Sequence, residues 1–249
     1  MKALFYCFAL AGILGYNQAA GQATPPDSAN TLLAIKNLSE RYNQALEDEK
    51  HIFNGKEYIS PDKYYLKGHP FFQSSEEQDG DVYYDNFLYT NIPLLYDVTL
   101  DQIVLPAPAG SLLFKLENQK VASFKVHGHT FIRLVTDSVA QSAIRTGFYD
   151  VLVDGKTKAL AKRIKEPAED ITERGMEGSF LVKDKFFVFK NERYFPVSTK
   201  KSLLKIFAEN KKELQKFIRS QRLSFKKENR EASLVKLVQY YNNLSSAES

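Results

Sequence analysis

The chain has no tryptophan, and its one cysteine, Cys7, lies in the first apolar run. If that run is removed, no thiol is left, and both disulfides and cysteine chemistry are excluded. Without tryptophan a sugar-binding surface lacks its usual stacking platform, for which only tyrosine can substitute. There is no Gly-x-Ser-x-Gly elbow, since Gly178-Ser179 merely opens a strand, and neither a glycine-rich phosphate loop nor a dinucleotide fingerprint occurs. A bilayer-spanning helix needs about 20 apolar residues. The run Ala3–Leu14 has 12, counting Gly12, and breaks at Gly15-Tyr16-Asn17-Gln18.

That run is instead the core of a secretion signal. Met1-Lys2 supplies the positive start, and Ala19 and Gly21 the small residues of a cleavage site. The expected signal peptide covers residues 1–21, with Gln22 as the new N-terminus; cutting after Ala23 is the alternative frame. Cys7 follows Phe5-Tyr6 inside the apolar run, the wrong place for lipid attachment. The expected location is outside the cytoplasm, periplasmic, outer-membrane associated or extracellular, with no transmembrane span in the mature chain. A chain of this length buries roughly 70% of its unfolded surface and can form a core without disulfides.

Charge is unevenly spread. Residues 200–249 hold nine lysines and three arginines against five glutamates, a net of +7, and residues 22–199 carry −4. Such asymmetry is the solvated face of helices or the mark of an anionic partner. The compartment argues against nucleic acid, which leaves an envelope protein or an anionic lipid.

Residues 22–29 read as a flexible N-terminus, with Asp27 or Ser28 capping a helix whose stripe is Leu32, Ile35, Leu38, Tyr42 and Leu46. From Glu57 to Val197 the period changes to that of strands. Asp85-Asn86, His127-Gly128, Asp154-Gly155, Lys183-Asp184 and Asn191-Glu192 separate short apolar runs, and Asp154-Gly155 is the strongest type I′ hairpin signal. Some ten to twelve strands joined by tight turns imply an antiparallel meander. Pro106–Gly110 reads as a loop or edge crossing, and polar Glu166–Gly178 as the longest loop. The adjacent pairs Tyr64-Tyr65, Tyr83-Tyr84 and Phe186-Phe187 imply a sheet covered on both faces. After Pro196 the helical period returns. Ser198 or Thr199 caps one helix carrying Leu203, Leu204, Phe207, Leu214, Phe217 and Ile218. A second, roughly Lys227 to Leu244, carries Leu234, Leu237, Val238 and Tyr241. The fold class is α+β: a β-meander, as a sheet or partly open barrel, with an N-terminal helix and a C-terminal helical pair. The domains are 30–198, the helix plus β-rich part, and 199–249, the basic helical pair packed on it.

Several motifs carry a resemblance: His51-x-Phe-Asn-Gly-x-Glu-Tyr58, Gly68-His-Pro-Phe-Phe72, Gly80-x-Val-x-Tyr-Asp85 and Asn91-x-Pro-Leu-Leu-Tyr-Asp97. With Gly147-Phe-Tyr149 and Leu234–Tyr241, the chain resembles a family of exported proteins of unknown function from Bacteroidota-type Gram-negative bacteria. The resemblance implies an envelope location and supplies no catalytic residue.

His127-x-His129 is the most metal-like signal, because residues two apart on a strand share a face. His69 and a carboxylate such as Asp97 would complete a zinc site. If His127-Gly128 is itself a hairpin turn, the two imidazoles lie on opposite arms. Glycosidase chemistry needs two facing carboxylates, for which Asp97 with Asp101 or Asp79 with Asp81 are available. Neither pattern is distinctive, so no metal or cofactor is assigned. The basic segment from Lys200 to Lys227 places Lys201, Lys205, Lys212 and Lys216 opposite an apolar stripe, the candidate partner surface. A non-enzymatic binding or assembly factor for a protein or lipid partner is the expected function. The alternative is a metal-dependent or carboxylate-based periplasmic hydrolase.

Overall fold

The computed structural model describes residues 52–53, 55–107, 112–136 and 143–247. The expected signal peptide, flexible N-terminus and N-terminal helix lie outside the described residues, as does most of the Pro106–Gly110 loop. Short strands β1 (Lys56–Glu57) and β2 (Leu66–Lys67) precede the long hairpin of β3 (Gln78–Tyr84) and β4 (Phe87–Asp97). Then come β5 (Gln102–Pro106), β6 (Leu113–Lys115), β7 (Val121–Val126), β8 (His129–Leu134), β9 (Gly147–Val153) and β10 (Lys158–Lys162). β11 (Lys165–Thr172) and β12 (Gly175–Val182) leave this sheet, and β13 (Lys185–Lys190) and β14 (Arg193–Val197) rejoin it. The helices are α1 (Lys200–Ile206), α2 (Lys211–Ser220) and α3 (Arg230–Ala247).

The main sheet has eleven strands in the order β1-β6-β5-β4-β3-β7-β8-β9-β10-β13-β14, paired antiparallel, with β1 and β14 at its edges. The small sheet is β11-β12-β2, in which β2 runs parallel to β12. The antiparallel meander is as the turn spacing predicts. Asp85-Asn86, His127-Gly128 and Asn191-Glu192 hold positive φ at both residues, as type I′ turns require.

Three expectations are corrected. Asp154-Gly155 is part of a four-residue connection, and of the two only Gly155 has positive φ. Asn242 of α3 is responsible: it accepts from the Thr157 N–H at 3.1 Å and donates to the Thr157 carbonyl at 2.8 Å, drawing that residue out of the β9–β10 ladder. Glu166–Gly178 is no loop, because β11 and β12 pair from Lys165–Val182 to Thr172–Gly175. The hairpin is exposed on both faces, so the alternation that marks a strand is missing, and Pro167 is tolerated because β11 is an edge. The C-terminal pair is three helices. Thr199 caps α1 in a capping box with Ser202, as the sequence suggests, but α1 ends at Phe207, where φ is −105° and ψ 47°.

Two cores follow. An aromatic cluster of Tyr96 on β4, Phe124 on β7, Phe131 on β8 and Phe148 on β9, with Phe72 from the segment before β3, is buried, with Phe124 and Phe131 stacked at 4.7 Å. On β9, β10, β13 and β14 the three helices bury Leu203, Phe207, Leu214, Leu237 and Val238 against Ala161, Phe186 and Val188. Each large side chain contributes about 1.5–3 kcal/mol. Phe187 faces the opposite side, among Tyr149 and Leu160, so this part of the sheet is covered on both faces.

Gly147 is required by its surroundings. Its φ is +152°, and a Cβ there would lie 2.3 Å from Asp101 Oδ2 and 2.7 Å from Lys162 Nζ, two groups that themselves pair at 2.6 Å. Gly147→Ala is expected to destabilise by about 2 kcal/mol or more, measured by chemical denaturation. Gly128→Ala, also at positive φ but with nothing within 4 Å, isolates the backbone share and should cost less.

Candidate functional site: a buried ionic network and a basic groove

Asp150 is the one charged residue of β9 and is 1% exposed. An ionised carboxylate in that position must be paired. Its Oδ2 accepts from His129 Nδ1 at 2.8 Å and from Arg163 Nε and Nη2 at 2.9 and 2.6 Å. Arg163 follows β10 and reaches further: Nη1 donates to Asp184 Oδ2 at 2.8 Å, and Nη1 and Nη2 form a two-bond fork with Glu231 at 2.6 and 2.8 Å. The guanidinium also lies over the Phe72 ring at 5.5 Å. Burial opposes the charge on Arg163, but the Glu231 hydrogen bonds, the Asp150 charge and Asp184 outweigh it and raise its pKa.

His129 at the start of β8 has both ring nitrogens engaged. Asp150 can only accept, so Nδ1 carries the proton; Nε2, 3.1 Å from Gln73 Nε2, then accepts from that amide. Gln73 is held at φ 53° to reach it. A histidine oriented by a carboxylate resembles a general-base pair, but the nitrogen that would take a proton is occupied by Gln73, and among the described residues no hydroxyl is bonded to it. The arrangement ties strands together instead of presenting a base.

The other sequence candidates are scattered. His127 is in the β7–β8 turn, and burial followed by the nearby His129 lowers its pKa. Both rings edge against Phe72, at 6.1 and 5.1 Å. His69 belongs to another contact set: it stacks on Phe71 at 6.3 Å, and Lys165 donates to its carbonyl at 3.0 Å. Burial, then Lys165, lowers its pKa. Asp97 is occupied by the Tyr58 hydroxyl at 2.7 Å and by the N–H groups of Thr99 and Leu100 at 2.7 and 2.9 Å. Asp101 accepts from Tyr96 at 2.6 Å and pairs with Lys162. Asp79 and Asp81 sit on the rim of β3, the latter 3.9 Å from Lys125. Among the described residues no group of three or more His, Cys, Asp or Glu is placed to hold a metal ion, and no helix is long and apolar enough to cross a membrane.

A basic groove lies along α1 and the start of α2. Lys200, Lys201, Lys205 and Lys211 surround Leu204, Ala208 and Gln215 in a cavity of about 580 Å³. None of the four lysines is paired with a carboxylate among the described residues. Neighbouring acids are committed elsewhere. Glu209 pairs with Lys190 and accepts from the Tyr241 hydroxyl at 2.8 Å, and Glu213 pairs with Lys216 at 3.0 Å. Of the lysines picked out in sequence, Lys201 and Lys205 line the groove and Lys212 and Lys216 do not. The spacing assumed one continuous helix. The break at 207–210 resets the phase of α2 and brings in Lys211; Lys200, in the first turn of α1, also lines the groove and was missed because it falls outside the four-residue spacing of Lys201 and Lys205.

No protein-family model, curated protein or solved structure matches this chain.

Arg163→Ala leaves Asp150, Asp184 and Glu231 without their shared cation and is expected to cost about 3–5 kcal/mol in urea unfolding. Arg163→Lys should rescue little of this, because an ammonium cannot replace the planar fork. Asp97 gives a pH test. Its pKa is raised, chiefly by burial, against the pull of Tyr58 and the N–H groups of Leu100 and Thr99. The folded state therefore holds this proton more tightly than the unfolded state. Its ionisation subtracts stability as pH rises from the ordinary carboxyl pKa through the raised one. The stability of Asp97→Asn relative to wild type should accordingly increase with pH across that window. A difference that stays flat or falls would contradict it.

Proposed function

We propose that this is an exported, non-enzymatic binding protein of a Gram-negative envelope, periplasmic or outer-membrane associated, whose α1–α2 groove holds an acidic segment of a partner protein. Export is supported by the composition of residues 1–21. The observation that carries the binding role is the groove itself: four unpaired lysines around an apolar floor, with the nearby acids sequestered. Unpaired like charges repel one another, and an anionic occupant relieves that repulsion. A volume of about 580 Å³ is in the usual range of binding pockets. An anionic membrane fits less well. A flat surface needs cations spread over one face, whereas these lysines ring a concavity, and Lys216 is already paired. The hydrolase reading is weakened because His69 and His129 make separate contacts and His129 is closed off by Gln73.

The test is capture from a detergent-solubilised envelope of the host with the purified protein. At low salt Lys201→Gln with Lys205→Gln should weaken binding of a stoichiometric protein partner about tenfold, a difference that shrinks at high salt, while Lys212→Gln with Lys216→Gln should change little. Equal loss in both variants, together with binding to vesicles rich in anionic lipid, would assign the basic helices to a membrane and overturn the groove reading.

A further inference from the structure

The β11–β12 hairpin has the features that the groove lacks. Lys165–Val182 contains five acids against Lys165 and Arg174. Near the body its charges are used: Lys165 donates to the carbonyls of His69 and Phe71, Glu166 pairs with Lys183, and Glu169 with Lys63. Towards the tip they are free. Asp170, Glu173 and Glu177 have no cation partner among the described residues, and Asp170 lies directly opposite Glu177 across the ladder. Like charges in that position are destabilising unless a cation covers them. On the other face of the hairpin is an apolar pair, Ile171 and Met176, also directly opposite each other and 82% and 44% exposed. The root of the hairpin is fixed: Lys183 N–H donates to the Ile164 carbonyl at 2.9 Å, and Ile164 N–H to Asp184 Oδ1 at 3.0 Å. Midway along the hairpin β2 pairs with β12 at Gly178 and Ser179. The arm is thus anchored near the body and exposed at its end.

Resting on the reading of the groove as a binding site for an acidic protein segment, we infer that its partner is a second copy of this chain, which inserts the tip of its β11–β12 hairpin. The arm tip carries the carboxylates of Asp170 and Glu177 on one face and the apolar pair Ile171 and Met176 on the other, with Glu173 and Arg174 in the turn, a net charge of −2. Four free lysines flank Leu204 and Ala208 in the groove. Both charge and polarity are complementary. Donor and acceptor surfaces differ, so the contact is head-to-tail, and an open assembly keeps one free arm at one end and one free groove at the other unless a ring closes.

The experiment is sedimentation velocity on the purified protein over a range of concentrations, at low salt (about 0.05 M) and high salt (about 0.5 M), between which charge screening changes strongly. Wild type should self-associate at low salt and dissociate at high salt. The groove variant Lys201→Glu with Lys205→Glu, and the arm variant Asp170→Lys with Glu173→Lys, should each be monomeric. Mixing the two should restore association, because each supplies the surface the other has lost. Two misfolded variants could not rescue each other. A wild type that stays monomeric at low salt, variants that still associate, or a mixture that stays monomeric each overturn the inference. A monomeric wild type whose groove variant still loses its envelope partner would leave the binding role of the groove standing. A groove variant that changes neither readout would remove both.

Discussion

Arg163 is the cation on which the relative placement of strands and helices depends. Its guanidinium sits behind β10 and bonds to a carboxylate from β9, one from the crossing into β13 and one from the first turn of α3. Bringing Asp150 and Arg163 out of water carries a desolvation cost that attraction within the network offsets only when the geometry is right. A planar donor with five N–H groups can satisfy three acceptors at fixed angles, so one arrangement of these segments is far better than its neighbours. Glu231 gains further from the N-terminal end of the α3 dipole. Hydrophobic burial holds the helices against β9, β10, β13 and β14, but apolar contact alone tolerates sliding. The ion network specifies where they stop.

The same network fixes the root of the hairpin arm. Asp184 accepts from Arg163 through one oxygen and from the Ile164 N–H through the other. The outgoing chain at 163–164 and the returning chain at 183–184 are thereby clamped side by side. Without that clamp a hairpin exposed on most of both faces, joined by β2 only at Gly178 and Ser179, would be marginal in water. The network that orders the core thus also holds a largely exposed element in place.

Local chemistry was legible in the sequence; long-range consequences were not. Asp85-Asn86 and Asn191-Glu192 mark turns because their own backbone preferences decide the matter, and Thr199 caps α1 for the same reason. Asp154-Gly155 carried an equally good signal and was overruled by Asn242, eighty-five residues from Thr157. The arm was hidden because strand recognition relies on one buried face, and this hairpin has almost none. Asp150 could have been found. A single carboxylate inside Gly147-Phe-Tyr-Asp-Val-Leu-Val153 implies a buried charge, and a buried charge implies a partner. Arg163, closing the run Lys158-Ala-Leu-Ala-Lys, was the available cation, but pairing them needed the register of β9 on β10, which the bulge between Ala159 and Leu160 shifts.

The charge asymmetry of the sequence takes on a sharper meaning in the folded chain. Averaged over segments it reads as a basic tail after an acidic body, which solvated helix faces alone would explain. In the structure, carboxylates near the helical core are drawn into pairs, Glu209 with Lys190, Glu213 with Lys216, Glu231 with Arg163. Among the charges left over are the lysines around Leu204 and the carboxylates at the tip of the β11–β12 hairpin. The lysines lie next to apolar surface, where an opposite charge would be worth more than in open water, because contact there excludes solvent. Surface charges that only aid solubility have no need of that setting. Two patches of opposite sign on one chain are the arrangement that a directional contact between chains requires.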